Sequence, residues 1–500
     1  MFSKLKNSLF SDFIIYGIGS VVSRSIGLIL TPFLAQALLP SEFGIINLAN
    51  TTSYFLGIFV VFALDSATGR WYFDSEDINY RKSTVSNWFW FQFVACISVL
   101  LISILFARNI SYVIFLDKNA YWFFLLPIVG LPLNALVMIF QNLERLRKRP
   151  VSLTFFNIAL TGLNVCFTLF YLLYLRLGVI GYLLGQLTTT LVLSLFAFVK
   201  LRNWIHPKYF DYARLKDMLR FSLPMVPTAV AFWLLNSSAT YFLNYILKNK
   251  HEVGLFGIGA SIAALISLVT TSFQMAWGVF FMSIYQKSEA PEKVSRIANV
   301  FMVICFSLWL FICLFSPEFL ILFASPSYYG AAWVPCILSL GPILYSMSYF
   351  TQVGCYVKKN MKPVATAVLL GGTISIGLYF LLIPRLGKEG AAFSTVAGQL
   401  LIPIYVYIRG NKYYPVRYNL IFISFVIGAA LLLGISGRML PMQYGLALGG
   451  IKMIIIFIYF LLCFWLTAIF DKQNYRVARG ILQKIKFNRN VRNSRNSIVA

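Results

Sequence analysis

Apolar stretches of about twenty residues recur from one end of the chain to the other, separated by short polar segments. Each is long enough to cross about 30 Å of hydrocarbon as a helix. The windows predict a first set of seven helices near 13–38, 43–64, 85–106, 121–140, 152–175, 179–199 and 221–247. A second set of seven follows near 255–285, 297–315, 331–357, 364–383, 391–408, 420–435 and 446–470. The 255–285 run exceeds what one span needs and is expected to tilt or break. None of the runs alternates apolar and polar residues as barrel strands do. The pattern therefore predicts an all-α polytopic membrane protein of about 14 transmembrane helices. Ala35-Gln36-Ala37 resembles a signal cleavage site, but the apolar stretch before it is far longer than an h-region of about 7–15 residues and contains Arg24. It is expected to be a retained first helix.

The loops supply an orientation. Lys and Arg in alternate connections, counted with both terminal segments, sum to 32, against 8 in the intervening loops. Such an asymmetry places the basic set in the cytoplasm, with both termini. The net charge of +26 on 500 residues is therefore mostly a topology signal, and nucleic-acid binding is not expected. The basic segments 144–150, 200–217 and the tail 471–500 are expected to lie against anionic membrane lipids. Only 12% of the residues are charged, well below the share in soluble chains, and mean hydropathy is +0.77. The seven cysteines all fall in apolar runs, so no disulfide is expected, and His206 and His251 are too far apart in sequence to suggest a metal site.

The chain also repeats itself. Glu42 and Gly44 in "PSEFGIINLA" lie 210 residues before Glu252 and Gly254 in "KHEVGLFGIG". Pro132 and Pro342 share that offset, "KRPV" and "MKPV" differ by 213, and "RLGVIG" at 176–181 precedes "RLGKEG" at 385–390 by 209. The offset spans six helices, an even number, so the halves share one orientation. Parallel repeats of this kind build transporters that rock around a midplane site. The expected organisation is two parallel six-helix lobes, 1–199 and 220–408, joined by a cytoplasmic linker, 200–219. Two extra helices within 409–470 and a basic tail, 471–500, complete the chain.

No loop is long enough to hold a catalytic domain, and neither a phosphate-binding GxxxxGK[ST] nor an HExxH, GxSxG or CxxC motif occurs. No cofactor is expected. The candidate chemistry is a polar lining. Gly17, Ser20, Arg24, Gly27 and Thr31 share one face of the first helix at spacings of 3 and 4. An arginine at mid-membrane costs about 2.5–3.5 kcal/mol on insertion scales, so it needs water or an anion beside it. Asn47, Asn50, Thr51 and Tyr54 line up on the second helix, and Asn157, Thr161, Asn164 and Thr168 on the fifth. The seventh carries Trp233, Asn236, Ser237, Thr240 and Asn244. On the fifth helix such residues serve equally well as interhelical glue. In "FALDSATGRWYF" Asp65 and Arg70 are placed to pair across a helix end, as a salt bridge or a gating element. Lys452 is expected to snorkel outward.

"SRSIGLILTPFLAQALLPSEFGIINLA" resembles the first hairpin of bacterial polysaccharide repeat-unit (O-antigen type) flippases of the multidrug/oligosaccharidyl-lipid/polysaccharide flippase superfamily. "LDSATGRWYF" is similar to that family's Arg-aromatic ending, with Arg70 on its arginine, and "EVGLFGIGASI" and the "RLGxxG" turns fit as well. Where many relatives carry an Asp-Arg pair before a tyrosine in helix 7, this chain has Ala239 and Thr240 before Tyr241. The resemblance implies a V-shaped pair of lobes around a central cavity. It implies transport of an undecaprenyl-pyrophosphate-linked oligosaccharide from the cytoplasmic to the outer leaflet of the bacterial inner membrane, without enzymatic activity. It also implies a polysaccharide polymerase and a chain-length regulator as partners. Arg24, Asn47, Asn50, Arg70, Asn164, Asn236 and Thr240 are the expected substrate-binding residues and Asp65 the expected gating or coupling residue. Three other readings stay open. A lipid II flippase usually has a second arginine where this chain has Leu30-Thr31. A multidrug cation antiporter would want buried carboxylates. A membrane glycan polymerase would need a larger external loop.

Overall fold

The computed structural model describes residues 29–438 apart from Lys359, residues 446–470, and, before Ile29, positions 19, 22, 23, 25 and 26. Arg24 and the tail 471–500 lie outside the described residues, as does much of the expected first helix. The described residues form helices and short helical turns, with no strand among them.

The first half contains α1 (29–37), α2 (Pro40–Val61), α3 (Leu64–Tyr72), α4 (Ile78–Leu105) and α5 (Ala107–Phe115). It continues with α6 (Tyr121–Val129), α7 (Leu131–Leu146), α8 (Pro150–Leu169) and α9 (Gly178–Leu201). After α10 (Tyr212–Ser222), the second half comprises α11 (Val226–Ser237), α12 (Ala239–Leu247), α13 (Lys250–Ala263) and α14 (Ile266–Ile284). It ends with α15 (Ala290–Phe323), α16 (Val334–Leu338), α17 (Leu340–Thr351), α18 (Val353–Val357) and α19 (Lys362–Gly410). Two further helices follow, α20 (Leu420–Arg438) and α21 (Leu446–Phe470).

Twelve helices among the described residues are long and apolar enough to cross a membrane. The difference from fourteen has two sources. The expected first span falls largely outside the described residues. The spans expected at 364–383 and 391–408 form the single 49-residue run α19, which bends at Gly387 (φ 57°, ψ −131°). At 1.5 Å per residue that run measures about 74 Å, enough for two crossings. The long 255–285 segment does break, between α13 and α14.

By the alternation of the helices, loops 73–77, 147–149, 202–211, 285–289 and 411–419 fall at one end, here termed the basic end. Each half has its own apolar core. Trp88, Phe140, Phe156 and Trp204 centre one cluster in the first half. Phe306, Trp309, Phe350 and Tyr459 centre another, in which the second half packs with α20 and α21. A third cluster joins the halves through Phe43 and Leu48 of α2, Val253 and Ile258 of α13, and Tyr328. It lies toward the opposite end, where the Tyr328 hydroxyl donates to the Leu38 carbonyl at 3.0 Å and the Asn244 amide to Ile114 O at 2.8 Å.

The repeat noted in the sequence meets itself at this seam. A Cβ on Gly44 would lie 2.2 Å from Lys250 O, and one on Gly254 would lie 1.7 Å from Pro40 O. Both distances are impossible for a side chain, so the two glycines let the backbones of α2 and α13 touch reciprocally, as small residues do in membranes. Each half also turns sharply at its "RLG". Gly178 and Gly387 share φ +57° and sit against Glu42 and Glu252, whose own offset matches.

Lys452 corrects the expectation of snorkelling. Its side chain is 7% exposed, pairs with Glu318 of α15 and donates to Leu314 O at 3.0 Å. A carboxylate on the facing helix makes an inward path available, which avoids stretching the amine to the interface. Lys452→Met should leave Glu318 without its cation and cost about 1.5–3 kcal/mol, while Lys452→Met with Glu318→Leu should recover most of the loss. Thermal unfolding in detergent checks this; equal midpoints for the single variant and the parent would show that the pair contributes nothing.

Candidate functional site

Beyond the α2–α13 seam lies a cavity of about 1130 Å³, lined mostly by the first half and closed on one side by the entry to α11. Its wall runs down α2 from Asn50 to Val61, onto the first turn of α3, and across α6 to α9. The second half contributes Pro224 to Phe232, the entry to α11. A second space of about 530 Å³ is more apolar and lies between positions 25–36, α13 and the end of α15.

The wall takes its shape from a break in α2. Phe62 and Ala63 adopt φ 53° and 54°, the left-handed region, with no glycine to ease it. Such residues cost about 1–2 kcal/mol each. The break redirects the chain into α3, so that Asp65 and Ser66 line the cavity. Trp233 secures the upper wall, donating its indole N–H to Thr51 O at 3.3 Å and packing on Phe55 at 4.6 Å. Thr52 and Tyr241 share a hydrogen bond across the same contact.

The lining is mostly apolar, and several of its polar side chains are bonded to residues just behind it. Asn50 and Gln186 both donate to the Tyr182 hydroxyl, at 3.1 and 2.7 Å. Gln141 donates to Asn157 Oδ1 at 2.8 Å. Ser53, Thr161, Thr189 and Thr190 return their hydroxyl protons to carbonyls one turn back. The Gln92 side chain is buried and its Oε1 has no partner among the described residues. Asp65 is the one charged side chain among the described lining residues.

The cavity brings together three of the residues expected from the sequence: Asn50, Asn164 and Asp65. Asn47 packs at the seam against Gly257, where an added Cβ would meet its Nδ2 at 1.8 Å. Asn236 accepts from Gln399 Nε2 at 2.9 Å, within the second half, and Thr240 is buried in α12 outside the lining. Arg70 is exposed and lies over Trp71 and Phe221, 5.6 Å from each ring. It makes no ion pair with Asp65 among the described residues, because five residues place the two about 140° apart around a helix. On α8, Thr161 and Asn164 face the cavity while Thr168 packs against Gly185 as glue. Gln92, Asn134, Gln141, Gln186 and Thr190 were missed. Their signal was a carboxamide or hydroxyl within, or for Gln141 just past, an apolar window in helices α4, α7 and α9.

Comparison with known proteins agrees with this architecture. A family described as "Polysaccharide biosynthesis protein" matches residues 33–338. A "Putative O-antigen transporter" of Escherichia coli (strain K12) is 22% identical over 396 residues, covering 76% of this chain and 92% of that protein. Among solved structures, the lipid II flippase MurJ in an inward closed conformation superposes with a TM-score of 0.73 at 14% identity, covering 90% of this chain and 98% of MurJ. An inward-facing MATE family multidrug resistance transporter of the MOP superfamily gives 0.65 at 16% identity, over 78% of this chain and 94% of that one. At these identities the superpositions establish a shared fold.

Tyr182→Phe should strand the Asn50 and Gln186 amides and cost about 1–3 kcal/mol. Asn50→Ala should then cost less in the Tyr182→Phe background than in the parent. Detergent unfolding of the four proteins checks this, and strictly additive losses would show that the network is not coupled.

Proposed function

We propose that this chain, which belongs to the polysaccharide biosynthesis protein family, is a flippase rather than an enzyme. It moves an undecaprenyl-pyrophosphate-linked oligosaccharide repeat unit from the cytoplasmic to the outer leaflet of a bacterial inner membrane. The observation that carries this reading is the cavity enclosed by the first half and the entry to α11. Its carboxamides and hydroxyls, set among apolar side chains with Tyr54 and Phe232, suit a sugar chain, and its volume exceeds that of a typical small-molecule site. The coarser assignment to a membrane transporter of polysaccharide precursors already follows from the family and the fold.

The geometry supports a cycle of alternating access. In this reading residues 1–199 and 220–408 are the two lobes, and the basic end faces the cytoplasm under the positive-inside rule. The described state is then closed outward by the α2–α13 seam and open inward. The inward-facing MATE family structure that superposes on this chain supports the same assignment. The glycan enters the cavity while the isoprenyl chain stays in lipid, with the apolar space beside α13 as a surface for it. Arg24 is proposed to hold the pyrophosphate, because a guanidinium grips two phosphate oxygens at once. Asn50 and Asn164 contact sugar hydroxyls, and Asp65 gates the entrance. The polymerase and chain-length regulator would act on the exported product.

Expression in a strain lacking the flippase for a defined repeat unit tests the proposal. The chain should restore surface polysaccharide and clear the lipid-linked precursor that accumulates. No restoration with any of a panel of repeat units would contradict it. Arg24→Ala should abolish export while the protein still accumulates in the membrane, Arg24→Lys should keep part of it, and Arg24→Glu should fall below Ala. Normal export by Arg24→Ala would move the headgroup site elsewhere, with Arg70 the next candidate.

A further inference from the structure

The polar groups of the cavity wall stand on one side of it. Every carboxamide among the described lining residues belongs to the first half, as does the carboxylate of Asp65. The second half adds one hydroxyl, Thr228, to the apolar Pro224, Met225, Val226, Ala229 and Phe232. Resting on the flippase reading, we infer that the first half alone reads the sugars of the repeat unit, and that Asn134 and Asn164 set which sugar is accepted.

The internal repeat shows that the two halves differ here position by position. The offset is 210 at both the Glu42–Glu252 and the Pro132–Pro342 pairs. Between them, Asn50, Asp65 and Gln92 correspond to Ala260, Met275 and Met302, and just past them Asn134 corresponds to Leu344. Met302 and Leu344 are buried in the apolar cores of the second half. Four polar positions of the wall thus have four apolar counterparts, and the second half presents no matching surface to a glycan.

Helix geometry brings the two asparagines together. Gln141 of α7 bonds Asn157 of α8 at 2.8 Å. The two helices run antiparallel from the short turn at 147–149. Seven residues back from Gln141 and seven on from Asn157 therefore both lead two turns, about 10 Å, away from the basic end. They arrive at Asn134 and Asn164, and both line the cavity. Asn50 and Gln186 are held by the Tyr182 hydroxyl, and Gln141 by Asn157. Asn134 and Asn164 have no side-chain bond among the described residues. Each keeps a whole carboxamide, two N–H donors and an acceptor oxygen, for a ligand. Sugar hydroxyls both donate and accept, and a site built to bond one of them rejects the analogue that no longer presents it.

The test takes a lipid-linked repeat unit that the parent exports. It is compared, one sugar at a time, with the unit carrying the epimer at one hydroxyl of that sugar, in matched strains lacking their own flippase. The readout is the ratio of original to epimeric export, so differences in protein amount cancel. At one sugar the parent should favour the original unit by at least about tenfold, the effect of one lost polar contact. Asn134→Leu and Asn164→Leu should each bring that ratio toward one, and Thr228→Val should leave it where it was. Ratios unmoved at every sugar by both asparagine substitutions would overturn the inference while leaving the flippase reading intact. A ratio moved as far by Thr228→Val would overturn the assignment of recognition to the first half. A parent that exports no repeat unit, beside a control flippase that does, would refute the flippase reading itself and the inference with it.

Discussion

Two backbones in contact inside a membrane set the terms for the rest of this structure. At the α2–α13 seam, Gly44 meets Lys250 O and Gly254 meets Pro40 O with no room for a side chain between them. Water does not drive helices together within lipid, so packing and hydrogen bonds must do it. A reciprocal glycine contact brings two surfaces close without locking them by large interdigitated side chains. That suits a joint that closes and reopens. The cavity lies beyond this contact, among the helices of the first half and the entry to α11.

The cavity wall solves a second problem set by the membrane. Bare amides and hydroxyls in hydrocarbon are costly, and several of the wall's donors are satisfied internally through Tyr182, Asn157 and the carbonyls one turn back. The second N–H of each amide, and the side chains of Asn134 and Asn164, stay available for a ligand rich in hydroxyl groups. The same economy appears where α21 meets α15, with Lys452 and Glu318 paired inside the second apolar core. Neither helix of that appended pair reaches the cavity wall among the described residues.

Much of this was legible in the sequence because the membrane writes plainly. Span length, loop charge and the 210-residue offset of Glu42–Gly44 to Glu252–Gly254 pointed to the fold and to the glycines at its centre. The site was less legible. Periodicity places Asn47 and Asn50 on one stripe, yet Asn47 faces the seam at Gly257 and Asn50 faces the cavity, because the wall turns within that one turn of helix. Asn236 bonds Gln399 within its own half and Thr240 is buried in α12, both outside the lining. The break at Phe62–Ala63 carries no glycine or proline, so nothing local announced it, and without it Asp65 could not be assigned to the wall. Lys452 looked like an interfacial anchor because its partner, Glu318, is 134 residues away in sequence.

The central claim is that the α2–α13 seam is a gate that must open for transport. A cysteine pair, Asn47→Cys with Gly257→Cys, would bridge it at a point where the native asparagine already fills the space beside the glycine. The pair is best made in a background whose native cysteines are replaced and which still exports. Flipping of a lipid-linked oligosaccharide should be measured in vesicles before oxidation, after oxidation and after reduction. The account predicts transport in the reduced protein, loss of it once the bridge forms, and recovery on reduction. Undiminished transport by fully cross-linked protein would contradict it.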